Sequence, residues 1–284
     1  MENEIDSLLT EVDNSMSLYN PQSLLSRLNR NETDSVDGFI AECIRTARRI
    51  SEQSDGAYDI TAKPLTAAYG YTGDVPVQNP DVDSLLKLVG YDKIAVENGR
   101  LRKADPRMQI DLNSIAQGAT SDYIAAYFEK LGIEEYMIEV GGEIFCRGLN
   151  AKGKPWVVGI DRPKEGNFTP GADLQVKISL SGKGLATSGN YRKFRTDSSG
   201  RKIVHTVDPR TGQPVTSDLL SATVVAETSA EADAYGTALM VMGLERGKEF
   251  LAAHPEIQAY LIYSDEQGRF QTYVTPELGQ TIAR

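Results

Sequence analysis

The stretch MQIDLNSIAQGATSDYIAAYFEK, residues 108–130, holds two periodicities side by side. Met108 to Leu112 reads as a short buried strand. Ser114 to Lys130 reads as a helix that sets Ile115, Tyr123, Ile124, Tyr127 and Phe128, with Leu131 just beyond, mostly on one side. Upstream, the alternation from Tyr91 to Glu97, the pair Asn98-Gly99 and the run Leu101 to Lys103 predict strand, turn and strand. Before them Asn79-Pro80 suggests a helix start, an N-cap followed by proline at the first helical position. Two amphipathic helices open the chain. The first carries Ile5, Leu8, Leu9 and Val12 on one face, and the second Phe39, Ile40, Cys43, Ile44, Ala47 and Ile50.

Downstream the chain turns strand-rich. Tyr136 to Val140, Glu143 to Arg147, Trp156 to Ile160, Leu174 to Leu180, Ile203 to Val207, Ala222 to Ala226 and Ala259 to Tyr263 are expected strands. Glu231 to Met242 is an expected helix among them, with another after Leu244. Helices and strands mix without strict alternation, and no repeat or low-complexity linker divides them. The expected class is therefore α+β, mixed sheets with flanking helices in a single unit over residues 1–284.

Composition narrows the function. The 284 residues are 40% hydrophobic and 25% charged, ordinary globular material. Acidic residues outnumber basic ones 40 to 30, a net charge of -10, which disfavours nucleic acid and anionic lipid as partners. Two cysteines, Cys43 and Cys146, exclude a disulfide framework, a four-thiolate zinc site and an iron–sulfur cluster. Two histidines, His205 and His254, exclude a site built on several imidazoles, so any metal must sit mostly on oxygen. No run of about 18 apolar residues occurs. The acidic start is not a leader, although Met1 directly before a helix leaves room for a missing front piece.

Several small constellations could carry chemistry. Gly141-Gly142, Gly182-Lys183-Gly184 and Ala186-Thr187-Ser188-Gly189 would let a backbone approach a ligand, or simply make tight turns between strands. Gly182 and Gly184 match only half of a dinucleotide fingerprint, since Thr187 stands where its third glycine belongs. Asp233 and Thr237, four apart in a helix, present a carboxylate and a hydroxyl on one face. That pair suits Mg²⁺, which takes further ligands from water and substrate phosphates. The bland alternative is an Asp favoured by the helix dipole and a Thr bonded to its own backbone. His205 ends a strand that runs into the turn Asp208-Pro209-Arg210-Thr211-Gly212, and such a lone histidine is usually structural. Asp111 closes an apolar strand, where a buried carboxylate must find donors or a ligand. Asp55-Gly56-Ala57-Tyr58-Asp59-Ile60-Thr61 is a turn whose tyrosine could stack on a ring.

In order, these pieces resemble the ApbE family, the FAD:protein FMN transferases or flavin-trafficking proteins. The matching segments are Ser17-Leu18-Tyr19 with Ser23 to Asn29, Asp55 to Thr61, Ile110 to Gly118 with Asp122, and Gly141-Gly142. They continue with Ala186 to Gly189 and Tyr191, His205 to Gly212, and Glu231 to Ala234 with Thr237. The resemblance implies a T-fold-related architecture. The implied enzyme cleaves the diphosphate of FAD, joins FMN to a threonine or serine of an acceptor flavoprotein subunit of redox-pump type through a phosphodiester, and releases AMP.

By the same resemblance Asp233, Thr237 and the carbonyl of Ser114 would hold Mg²⁺. His205 would accept the proton of the attacking hydroxyl, since an imidazole titrates near neutral pH. Flavin contacts would fall on Tyr19, Ala57, Tyr58, Asp59, Asp111, Gln117 and Val207. Gln117 departs from the pattern, because the family commonly has a charged residue there, often lysine. The front strand with its Met-Gly-Thr segment is also missing. A periplasmic or cell-envelope location is implied, with membrane attachment only through a lost leader or lipid anchor. Gly118-Ala119-Thr120-Ser121 looks like an acceptor motif, but it falls inside the predicted helix and is read as coincidence. An FAD pyrophosphatase, an FAD-binding storage protein and, more remotely, a nicotinamide oxidoreductase are the competing readings.

Overall fold

A computed structural model describes residues 1–71, 75–163, 169, 171–189, 194–196, 202–204 and 206–283 of the protein, with 194–196 and 202–204 described by backbone alone. The chain forms two compact units, Met1–Ala116 with His205–Val215, and Gln117–Val204 with Thr216–Arg284.

In the first unit α1 (Glu2–Met16) buries Val12 and Met16. Ser23 caps α2 (Leu24–Asn29), its hydroxyl accepting from the Ser26 N–H at 3.0 Å. Asp37 caps α3 (Gly38–Gln53) in the same way through the Ile40 N–H at 2.9 Å. The apolar stripe that predicts α3 is the one it buries: Ile40, Cys43, Ile44, Ala47 and Ile50. After α4 (Lys63–Ala68) comes the helix expected at Asn79-Pro80, which is α5 (Val82–Leu86). Its cap is Asp81, whose side chain takes the Ser84 N–H, while Asn79 sits outside it at φ 53°.

The hairpin is formed as read from Ile94 onward, β1 (Ile94–Glu97) pairing antiparallel with β2 (Arg100–Lys103). Asn98 at φ 50° and Gly99 at φ 72° supply the two positive angles its turn requires. Tyr91–Lys93 is a 3₁₀ turn rather than strand.

The strand expected over 108–112 is instead an irregular buried segment. Asn29 takes the place of a neighbouring strand: its Oδ1 accepts from the Ile110 N–H at 2.7 Å and its Nδ2 donates to the Ile110 carbonyl at 2.8 Å. Both backbone groups are thereby satisfied while Met108, Ile110 and Leu112 stay fully buried.

The second unit opens with α6 (Ala116–Lys130) and the hairpin β3 (Tyr136–Val140) and β4 (Glu143–Arg147). The ribbon of β5 (Trp156–Asp161) with β6 (Leu174–Leu180) follows, then β7 (Lys183–Gly189) and the short pair β8 (Phe194–Thr196) and β9 (Lys202–Val204). The chain ends in β10 (Leu219–Ala226), α7 (Ser229–Ala253), β11 (Gln258–Ser264), β12 (Phe270–Val274) and α8 (Pro276–Gln280). Six strands make one antiparallel sheet in the order β12-β11-β10-β7-β4-β3. The two helices expected either side of Leu244 are one helix kinked at Gly243, which has φ 74°. The strand expected over Ile203–Val207 ends at Val204, and Val207 makes only an isolated bridge to Pro214.

The cluster Ala186-Thr187-Ser188-Gly189 is no turn; it belongs to β7. Gly184, Ala186 and Ser188 alternate toward α7, and a Cβ on Gly184 would stand 2.2 Å from the Ser229 backbone nitrogen. Small residues let the helix lie directly on the strand. On the opposite face Leu185 joins Ile144, Val158, Ile160 and Val225 in a core under the β5–β6 ribbon. No helix among the described residues is long and apolar enough to cross a membrane.

Candidate active site

The site is built where α7 begins. Thr228 caps α7, and Asp122 of α6 accepts the Ser229 and Ala230 N–H groups at 2.8 and 2.9 Å, an anion placed on a helix N-terminus. Glycine allows the approach: a Cβ on Gly118 would stand 2.3 Å from the Ser229 carbonyl oxygen. Asp233, one turn into α7, thus meets the start of α6. There the Gly118 N–H, with no carbonyl to bond within its own first helical turn, donates to its carboxylate.

Asp233 is 6% exposed, and its Oδ2 has no hydrogen-bond partner. Burial pushes its pKa well above the usual carboxylate range, and the facing Glu143 carboxylate pushes it further. Thr237 lies half-buried one turn on. The acidic residue in the first turn of α7 is Glu231. Asp233 lies beyond that first turn, where helix-dipole support falls away.

Glu143 was not legible as a site residue. It opens β4 directly after Gly141 (φ 66°) and Gly142 (φ 108°), a two-residue turn needing positive φ at both positions. Its Oε2 is buried and unpartnered. Burial pushes its pKa up to about 7, with Glu139 adding to the rise. A Cβ on Gly141 would collide with the Gln117 amide nitrogen at 1.9 Å and lie 3.3 Å from Glu143 Oε2. The only cue in the sequence is a carboxylate placed immediately after a Gly-Gly turn.

The buried Asp233 and the half-buried Glu143, each with a buried, orphaned oxygen, and a neighbouring hydroxyl make a donor set of hard oxygens, which fits Mg²⁺. Among the described residues no group of three or more His, Cys, Asp or Glu forms a metal cage. A cation held here would keep positions open for ligands from outside the protein. On the ribbon side of the sheet a cavity of about 820 Å³ runs between β3, β4 and β7 on one side and the β5–β6 ribbon on the other, with Glu139, Glu143 and Thr187 in its wall. That volume is suited to a small ligand.

The model of the ApbE family matches residues 1–261. The chain belongs to the ApbE family. It is 33% identical over 288 residues to the FAD:protein FMN transferase of Escherichia coli (strain K12), covering 98% of this chain and 80% of that one. Its identity to the FAD:protein FMN transferase of Haemophilus influenzae is 34% over 277 residues, 93% of this chain and 79% of the other. The solved flavin transferase ApbE from Vibrio cholerae superposes with a TM-score of 0.86 at 32% identity, over 99% of this chain and 89% of that one. The apo flavinyl transferase ApbE of Pseudomonas stutzeri gives 0.87 at 30%, over 99% and 87%. The mixed α+β class is that of these ApbE structures.

The remaining residues expected from the family resemblance fall into groups. Ser114 lies in the first unit, its carbonyl accepting from the Tyr58 hydroxyl at 3.4 Å and its own hydroxyl donating to Tyr58 at 3.1 Å. Tyr58 and Ala57 are each 1% exposed, so the Tyr58 ring has no open face for stacking and instead positions Ser114. Asp59 spends both oxygens within its own unit. Val207 packs with Leu65 and Val89.

Tyr19, by contrast, is 79% exposed. Asp111 is half-buried, its pKa raised by burial against the Asn113 N–H and Lys63. Gln117 is exposed at the start of α6. His205 and Tyr191 lie outside the described residues. Gly118, Ala119, Thr120 and Ser121 are buried in α6, with the Ser121 hydroxyl donating to the Glu143 carbonyl at 3.0 Å. Gly182 is a turn residue at φ 67° and Gly184 a packing residue, so neither belongs to a dinucleotide loop.

Proposed function

We propose that this ApbE member is an FAD:protein FMN transferase: it splits the diphosphate of FAD, attaches FMN to a threonine or serine hydroxyl of an acceptor protein, and releases AMP. The observation that carries the reading is the buried Asp233, with an unpartnered oxygen one turn from the Thr237 hydroxyl, in a chain matched along its length to proteins of that name. Asp233 and Thr237 would hold Mg²⁺; Ser114 as the third ligand rests on the resemblance. Held by these residues, Mg²⁺ would supply charge neutralisation and orientation of the diphosphate. His205 takes the proton of the attacking hydroxyl, a role that rests on the resemblance and the neutral titration of imidazole.

Among the flavin contacts, Tyr19 offers an open ring, and Asp111 and Gln117 offer polar groups. Ala57, Tyr58, Asp59 and Val207 are read as flavin contacts from the family resemblance alone. The acceptor is read as a flavoprotein subunit carrying a Thr/Ser motif, and the location as the cell envelope, both from the family resemblance.

The test is incubation with FAD, Mg²⁺ and an acceptor protein carrying such a motif, with AMP and covalent flavin fluorescence measured together. Transfer requires both products to appear only with acceptor present. AMP without acceptor would make the protein a pyrophosphatase, and stable FAD binding without AMP would make it a storage protein.

A further inference from the structure

Glu143 has no part in the proposed reaction, yet it is placed as a site residue is placed. The Gly141-Gly142 turn fixes the hairpin end from which it projects, and the Gln117 amide and Glu143 Oε2 flank the same glycine. Neither Glu143 Oε2 nor Asp233 Oδ2 has a hydrogen-bond partner, the other carboxylate included. Among the described residues no Lys, Arg or His faces either group; the charged neighbours are Glu139 beside Glu143, and Glu143 itself beside Asp233. Two carboxyls brought together without a countercharge oppose each other's ionisation. A small divalent cation would supply that countercharge.

We infer that Glu143 is a second carboxylate ligand of the divalent-cation site on Asp233 and Thr237. The inference rests on the proposed function in taking Asp233 as a cation ligand, and it changes what the site can do. A lone carboxylate with a hydroxyl depends on substrate phosphates to complete the cation's shell. A doubly negative oxygen site retains a hard divalent ion before any substrate arrives. Glu143 also lines the 820 Å³ cavity on the ribbon side of the sheet.

Mn²⁺ alone, displaced by Mg²⁺, is the probe, titrated into the full chain without FAD and followed by electron paramagnetic resonance and thermal unfolding. The wild type is expected to bind one ion. Glu143→Gln should raise the dissociation constant about 10- to 100-fold while leaving the metal-free melting temperature at or above the wild-type value. A purely structural glutamate would behave oppositely, losing stability and keeping the metal.

Unchanged affinity in Glu143→Gln alongside lost affinity in Asp233→Asn overturns this inference and leaves the proposed function standing. Full affinity in Asp233→Asn removes the cation site from both. No binding by the wild type overturns the preformed site, and the FAD assay then judges the function separately. Should Glu143→Gln not fold, the infrared difference spectrum of the wild type on adding Mg²⁺ decides. Two perturbed carboxylates support the inference, and one overturns it.

Discussion

Asp59 in the first unit and Asp233 in the second are both raised in pKa by burial, yet their surroundings are opposite. Asp59 Oδ1 accepts from the Thr61 N–H at 2.7 Å and the Thr61 hydroxyl at 2.6 Å, and Oδ2 from the Tyr91 N–H at 2.8 Å. Thr61 in turn accepts the Gly90 N–H at 2.7 Å, tying two loops together. Asp233 receives one backbone N–H, faces another carboxylate and keeps an oxygen unpaired. A buried carboxylate whose two oxygens are both hydrogen-bonded is architecture; one with an oxygen left bare waits for something from outside. Burial alone does not separate the two, but hydrogen-bond accounting does.

The largest effect that tests this contrast is at Asp233. Asp233→Asn should lower Mg²⁺-dependent AMP release from FAD about 10³-fold, roughly 4 kcal/mol of lost transition-state stabilisation. The metal-free melting temperature should not fall, because a buried like-charge repulsion is removed with the charge. A melting temperature several degrees lower with activity retained would make Asp233 architecture too, and the contrast would collapse.

Asp59→Ala is the reciprocal change. It strands the Thr61 and Tyr91 N–H groups and should cost about 2 to 4 kcal/mol of stability, read by denaturant unfolding, with Mg²⁺ affinity unchanged. Unaltered stability with weakened FAD binding would instead make Asp59 a direct flavin contact.

Why the sequence distinguishes these residues so poorly follows from where their partners come from. Asp233 and Thr237 are four apart on one helix, so their pairing is visible as spacing. Glu143 is brought to Asp233 only by the β3–β4 register and the Gly-Gly turn, and nothing local signals that meeting. The same division runs through the fold. The buried stripe of α3 and the Asn98-Gly99 turn are local and legible. The 108–112 segment looks like a strand because its residues are apolar, but its partner is the side chain of Asn29, 81 positions from Ile110. β7 escapes notice for the converse reason: Gly184, Ala186 and Ser188 are small because α7 lies on them, and small residues alone read as a turn.

The carboxylate pair also sets a pH dependence. Glu143 has an ordinary pKa of 4.5 and a folded value of about 7, so between those limits the folded chain binds more protons than the unfolded one. Stability from this group is therefore full below about pH 4.5 and is lost as pH rises through 7. The groups that face it, Glu139 and Asp233, are both acidic and oppose its ionisation. In metal-free protein the melting temperature of wild type relative to Glu143→Gln should fall from pH 5 to pH 8, and Mg²⁺ should flatten the difference. A difference that rises with pH would mean that Glu143 gains a cationic partner within the protein.

The smallest effect is expected at Gly99, where the cost of a side chain is conformational alone. Gly99 holds φ 72°, and a Cβ there would meet nothing within 4 Å. Gly184 is the reverse case, with no left-handed backbone angle but a Ser229 nitrogen 2.2 Å from the same imagined atom. Gly99→Ala therefore pays only for the left-handed backbone, about 1 kcal/mol, a melting shift of a few degrees. Neither Mn²⁺ affinity nor AMP release should change, since the turn belongs to the first unit and Asp233 to the second. If Gly99→Ala weakened the metal site as well as the fold, the half-satisfied carboxylates would be coupled to the hairpin's conformation. The contrast between Asp59 and Asp233 would then reflect a cooperative unfolding of both units rather than a difference in local chemistry.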